Sequence, residues 1–105
     1  MPTFVLVHGA FHGPWCFAPI VPALEQRGFA TVCPELPLTS LHEDAAVVRA
    51  ALDALDGPVV LLGHSYGGAV VSAAGDHPVV ERLVLLAALA PDDIEPASGG
   101  PVQIG

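Results

Sequence analysis

The chain of 105 residues has room for one domain, or part of one, and not for two. Its net charge of −8 comes from eleven carboxylates against three arginines and no lysine, which excludes a surface that neutralises nucleic acid or anionic lipid. Hydrophobic residues make up 52% and charged residues 13%, against about 25% charged in ordinary globular chains, so the chain reads as the interior portion of a larger fold.

Thr3–Val7 is an apolar run suited to a strand buried on both faces of a parallel sheet. Glycines and a proline break it in His8-Gly9-Ala10-Phe11-His12-Gly13-Pro14. From Trp15 to about Gln26, Phe17, Ile20, Val21 and Leu24 recur at helical spacing, with an irregular first turn expected at Pro19 and Pro22. Gly28 can close that helix in the left-handed conformation. Phe29–Cys33 is a second strand, followed by a proline-rich loop over Pro34–Ser40. Ser40 and Glu43 have capping-box spacing at the start of a helix over about Leu41–Leu55, which presents Ala45, Val48, Leu52 and Leu55 on one face. Val59–Leu62 is a third strand and roughly Tyr66–Gly75 a third helix, closed by Asp76-His77-Pro78. Leu83–Leu89 is a fourth strand.

This alternation predicts an α/β fold, a parallel sheet of about four strands with three helices on both faces. Residues 1–93 form the partial domain and 94–105 an irregular tail. Cys16 and Cys33 are expected as buried free thiols. The N-terminus lacks a leader pattern and no apolar run approaches the ~20 residues of a membrane span, so a cytoplasmic protein without membrane contact is expected.

The chemical signal is Gly63-His64-Ser65-Tyr66-Gly67, set directly between a strand and a helix. A sharp turn there lifts the Ser65 hydroxyl above the sheet, and Gly63 and Gly67 allow strand and helix backbones to approach. The helix N-terminus favours a developing oxyanion. Acyl transfer needs two backbone donors for that oxyanion. Tyr66 N–H supplies one, and Ala10 N–H, in the loop after the first strand, is the candidate for the other.

With both motifs in place, the chain resembles the α/β-hydrolase superfamily, and especially its plant-type methyl esterases and hydroxynitrile lyases with their bacterial relatives. Phe4–Phe17, Val60–Gly68 and Leu86–Asp92 carry the resemblance, collinear over nearly the whole chain. It implies that the four strands correspond to the third to sixth of the family's sheet, with the second strand outermost beside the first. The relatives often have an aspartate and a glycine-rich turn where this chain has Cys33-Pro34-Glu35-Leu36-Pro37, which bears on loop shape. Hydroxynitrile lyases of this branch carry threonine at the position of Ala10, so alanine favours the esterase side.

A serine nucleophile needs a base oriented by a carboxylate, and in this superfamily the acid and then the histidine follow the serine. His77, the one histidine after Ser65, is expected ~15 Å away at the far end of its helix. The resemblance makes His8 and His12 loop-shaping residues. His64 is expected to point away from Ser65, and His42 to be exposed. Asp92 and Asp93 are candidate acids. The expectation is therefore an N-terminal portion of a serine hydrolase acting on a small carboxylic ester, without metal or organic cofactor. Phe11 and Tyr66 are expected to line the acyl pocket. The alternatives are a cyanohydrin-type lyase on the same scaffold, or a non-catalytic module that self-associates through an exposed fourth-strand edge.

Overall fold

The computed structural model describes residues 2–10 and 12–86 and the backbone of 102–104. The elements are β1 (Thr3–Val7), a 3-10 turn (Pro14–Phe17), α1 (Val21–Gln26), β2 (Ala30–Val32), α2 (Leu41–Asp53), β3 (Val59–His64), α3 (Gly67–Ala74), β4 (Val80–Leu86) and β5 (Val102–Ile104). The strands lie in the order β2-β1-β3-β4-β5, and every pairing is parallel. The α/β class is as expected, and β2 lies outside β1.

Three differences from the sequence reading exceed two residues. The first helix begins at Val21, not Trp15, because Pro14, Pro19 and Pro22 leave the preceding segment in tight turns closed by Cys16 N–H to Gly13 O, Ala18 N–H to Trp15 O and Ile20 N–H to Phe17 O. β4 starts at Val80, not Leu83. Its first residues include the exposed Glu81 and Arg82, which break the apolar run, while Val80 and Arg82 still ladder with Val59 and Val60 of β3 around a bulge at Glu81. Within the stretch read as irregular, Val102–Ile104 is a strand, paired to Val84–Leu86. Three residues are too few to show a period, and the unpaired edge of β4 supplies their partners. The β4 edge expected to be free is thus covered along that length.

Local chemistry explains the other elements. The Ser40 hydroxyl accepts the Glu43 N–H at 3.0 Å, capping α2. The returning half of the box is replaced by a hydroxyl-to-carboxylate bond of 3.3 Å. Gly28, at φ +89°, ends α1 with Phe29 N–H bonded to Leu24 O at 3.1 Å.

The main core lies between the sheet and the α2–α3 pair. Val5, Val7, Val59, Leu61 and Leu85 meet Ala45, Val48, Leu52, Val70, Val71 and Ala74 there. The fully buried Leu6 and Phe17 stand outside that cluster, and Leu6 alternates with Val5 and Val7. They define the second face, under the 3-10 turn and α1. β3 repeats the alternation. Val59, Leu61 and Gly63 are buried, whereas Val60, Leu62 and His64 are half-buried on the opposite face. No helix among the described residues is long and apolar enough to cross a membrane.

Candidate active site

The carboxyl ends of β1 and β3, adjacent in the sheet, bring the two sequence motifs together, where open α/β sheets place their ligands. Ser65 follows β3 directly and has φ +58°, a left-handed conformation that costs a side-chain-bearing residue ~1–2 kcal/mol. The turn is held by Ser65 N–H to Leu86 O at 3.3 Å and Gly68 N–H to Ser65 O at 2.9 Å. A Cβ on Gly63 would lie 2.6 Å from the Gly67 carbonyl carbon and 2.7 Å from Val71. One on Gly67 would lie 2.8 Å from His8 O and closer still to Val7 O. Close backbone approach therefore leaves no room for a side chain at either position.

The loop after β1 packs directly on Ser65. A Cβ on Gly9 would come within 3.0 Å of Ser65 Cβ and 3.4 Å of its Oγ. Ala10 and Tyr66 share an open cleft of ≈ 200 Å³ with Leu38, Thr39, Ser40 and Asp44. Among the described hydrogen bonds, neither the Ala10 nor the Tyr66 N–H is engaged by another group. Phe11, Asp92 and Asp93 lie outside the described residues.

His8 sets the shape of this loop. It is 1% exposed, and Leu36 N–H donates to its Nε2 at 2.9 Å. The ring proton is thus on Nδ1, which donates to Gly9 O at 2.8 Å. With both nitrogens committed, His8 is a structural clasp between the loops after β1 and β2, as the resemblance implies. His77 lies beyond the C-terminal end of α3. Val79 N–H donates to its Nδ1 at 3.2 Å, and its Nε2 donates to Asp53 at 2.7 Å. His42 is exposed. Among the described residues no histidine hydrogen-bonds the Ser65 hydroxyl. Cys16 and Cys33 are free but only partly buried, because the 3-10 turn and β2 edge cover them incompletely. Burial still pushes both thiols up from their ordinary value.

One residue escaped the sequence reading. Asp44 is fully buried, and its carboxylate accepts Leu38 N–H at 2.8 Å and Tyr66 O–H at 2.7 Å. Leu38 itself has φ +59°, so the bond holds a strained loop residue in the cleft wall. Burial first, and then the Asp44 carboxylate, push the Tyr66 hydroxyl up to about 12. The available signal was the row 44, 48, 52 along α2, whose four-residue steps put Asp44 in line with Val48 and Leu52.

A parallel α/β sheet with a strained serine turn at its carboxyl edge defines an α/β-hydrolase-type site. Residues 4–103 match the alpha/beta hydrolase family, and the chain belongs to it. A carbendazim hydrolyzing esterase from Nocardioides sp. is 33% identical over 108 aligned positions, covering 88% of this chain and 44% of that protein. Methylesterase 7 from Arabidopsis thaliana is 33% identical, covering 89% of this chain and 42% of its own length. A crystal structure of a pyrethroid hydrolase from Sphingobium faniae superposes with a TM-score of 0.73 at 32% identity, over 83% of this chain and 40% of that one. The chain thus spans less than half the length of each of these three relatives.

Proposed function

We propose that this chain carries the nucleophile half of a serine esterase acting on small carboxylic esters. Ser65 Oγ attacks the ester carbonyl as its proton passes to a general base, which then gives it to the departing alkoxide, and the N–H groups of Ala10 and Tyr66 receive the oxyanion. The alkoxide leaves once protonated, and water then releases the acid from the acyl-serine. Gly63 and Gly67 hold the turn, and the cleft between Ala10 and Tyr66 receives the acyl group. The observation that carries this reading is Ser65 at φ +58°, packed against the loop of Gly9 and Ala10. Similarity to esterases and a pyrethroid hydrolase supports the substrate class, and alanine at position 10 favours ester hydrolysis over cyanohydrin cleavage. The reading requires a general base, and among the described residues no histidine hydrogen-bonds the Ser65 hydroxyl; Asp92 and Asp93 are its candidate acids. The two free cysteines fit a reducing, cytoplasmic compartment.

Fluorophosphonate labelling followed by peptide mapping tests the assignment, because the chain has competing serines at 40, 72 and 98. Slow labelling confined to Ser65, absent in Ser65→Ala and accelerated by added imidazole, is the expected result. Label spread over the other serines, or unchanged in Ser65→Ala, would refute it.

A further inference from the structure

The loop after β1 and the end of β3 also assemble side chains that the ester chemistry does not use. His12, Cys16 and His64 each offer a ligand atom, and these atoms all lie within 4.8 Å of one another. They arrive from three different places: the loop after β1, the 3-10 turn, and the face of β3 turned away from α2 and α3. The two imidazoles stack with centroids 5.7 Å apart and 18° between their planes. His64 Nδ1 is buried and makes no hydrogen bond among the described residues. An unpaired buried nitrogen of this kind costs ~1–3 kcal/mol, and buried polar groups are nearly always satisfied.

We infer that His12, Cys16 and His64 form a binding site for a thiophilic divalent cation of the zinc type, with solvent in the fourth position. One thiolate and two imidazoles are a borderline-soft donor set that suits zinc. Magnesium and calcium are disfavoured because the set contains no oxygen ligand. Metal–ligand bonds of about 2.0–2.3 Å put donors in a tetrahedral shell roughly 3.3–3.8 Å apart, so the cluster closes by about an ångström. His12 is exposed and free to make that movement. On binding, the Cys16 S–H bond breaks, its proton passes to solvent, and the sulfur pair forms the metal bond. The imidazoles contribute neutral lone pairs. The ion would tie the loop after β1 to the residue preceding Ser65, across the contact where a Gly9 Cβ would lie 3.1 Å from His64 O.

The test is titration of the metal-free 105-residue chain with Zn(II) against a chromophoric chelator, with Co(II) replacing zinc to read thiolate ligation by its charge-transfer absorption. One equivalent is expected to bind, weakened roughly tenfold or more by His12→Ala and by Cys16→Ser. The cobalt band disappears in Cys16→Ser. Magnesium and calcium do not compete. Cys33→Ser is the control, since Cys33 is the other cysteine of the chain and stands outside the cluster, and it retains binding. His12→Ala changes an exposed position, so its effect is read on a chain whose far-UV circular dichroism is unchanged. Failure to bind one equivalent, or binding that survives His12→Ala and shows no thiolate band, overturns the assignment. So does equal loss in Cys33→Ser.

Discussion

Asp44→Ala isolates the contribution of a buried carboxylate to the wall of the cleft. The substitution removes the acceptor for two donors, Leu38 N–H at 2.8 Å and Tyr66 O–H at 2.7 Å. Hydrogen bonds to a charged acceptor contribute about 1.5–3 kcal/mol each. Part of that is returned, because the variant no longer buries a charge. Both donors are also part-buried, so water replaces the acceptor in some measure. A net loss of about 2–4 kcal/mol follows. For a chain of this size, at ~4–8 °C per kcal/mol, the melting temperature falls by roughly 10–25 °C. Asp44→Asn separates charge from geometry. Its carbonyl oxygen can still accept from Leu38, while its amide donates to the Tyr66 oxygen, since a phenol serves as either partner. The loss in Asn should therefore be about 1 kcal/mol. Urea denaturation followed by far-UV circular dichroism measures both. If Asp44→Ala lies within ~0.5 kcal/mol of the parent, or no worse than Asn, the carboxylate does not organise this wall.

Tyr66 is the single tyrosine of the chain, so the ultraviolet absorbance of tyrosinate reads it alone. It should titrate near 12, and lower in Asp44→Asn but still above the ordinary value, because burial, the larger cause, remains. The raised value means that the folded state holds this proton after the unfolded state has lost it. Tyr66 thus favours the fold below about pH 10, and that contribution declines as pH rises toward 12. Tyr66→Phe should remove this decline in a pH series of urea midpoints. Ser65→Gly should be more stable than Ser65→Ala by about 1 kcal/mol, because glycine accepts φ +58° without strain, and both should lose fluorophosphonate labelling. Gly67→Ala should cost about 3 kcal/mol or more in the same denaturation assay, since its Cβ meets backbone on β1 that has no room to yield.

The elements legible in the sequence were those whose signal is local or periodic. The Ser65 turn could be read because flanking glycines and an apolar strand leave few alternatives, and α2 because Ser40 and the row Ala45, Val48, Leu52 mark its start and its face. Signals that depend on a distant partner were not legible. Asp44 looks like one acid among several on a helix until the sheet brings Tyr66 and Leu38 to it. His8 looks like a loop histidine until Leu36, 28 residues later, donates to its ring. β5 is the extreme case, since three residues become a strand only because β4 presents an open ladder. The same logic separates the two sets of histidines near Ser65. The hydrogen-bonding capacity of His8 is spent on backbone, so it can only hold the loop in place. His64 keeps a buried nitrogen unspent beside His12 and Cys16, and an unspent donor set, rather than nearness to the nucleophile, marks a place where a ligand can add binding energy.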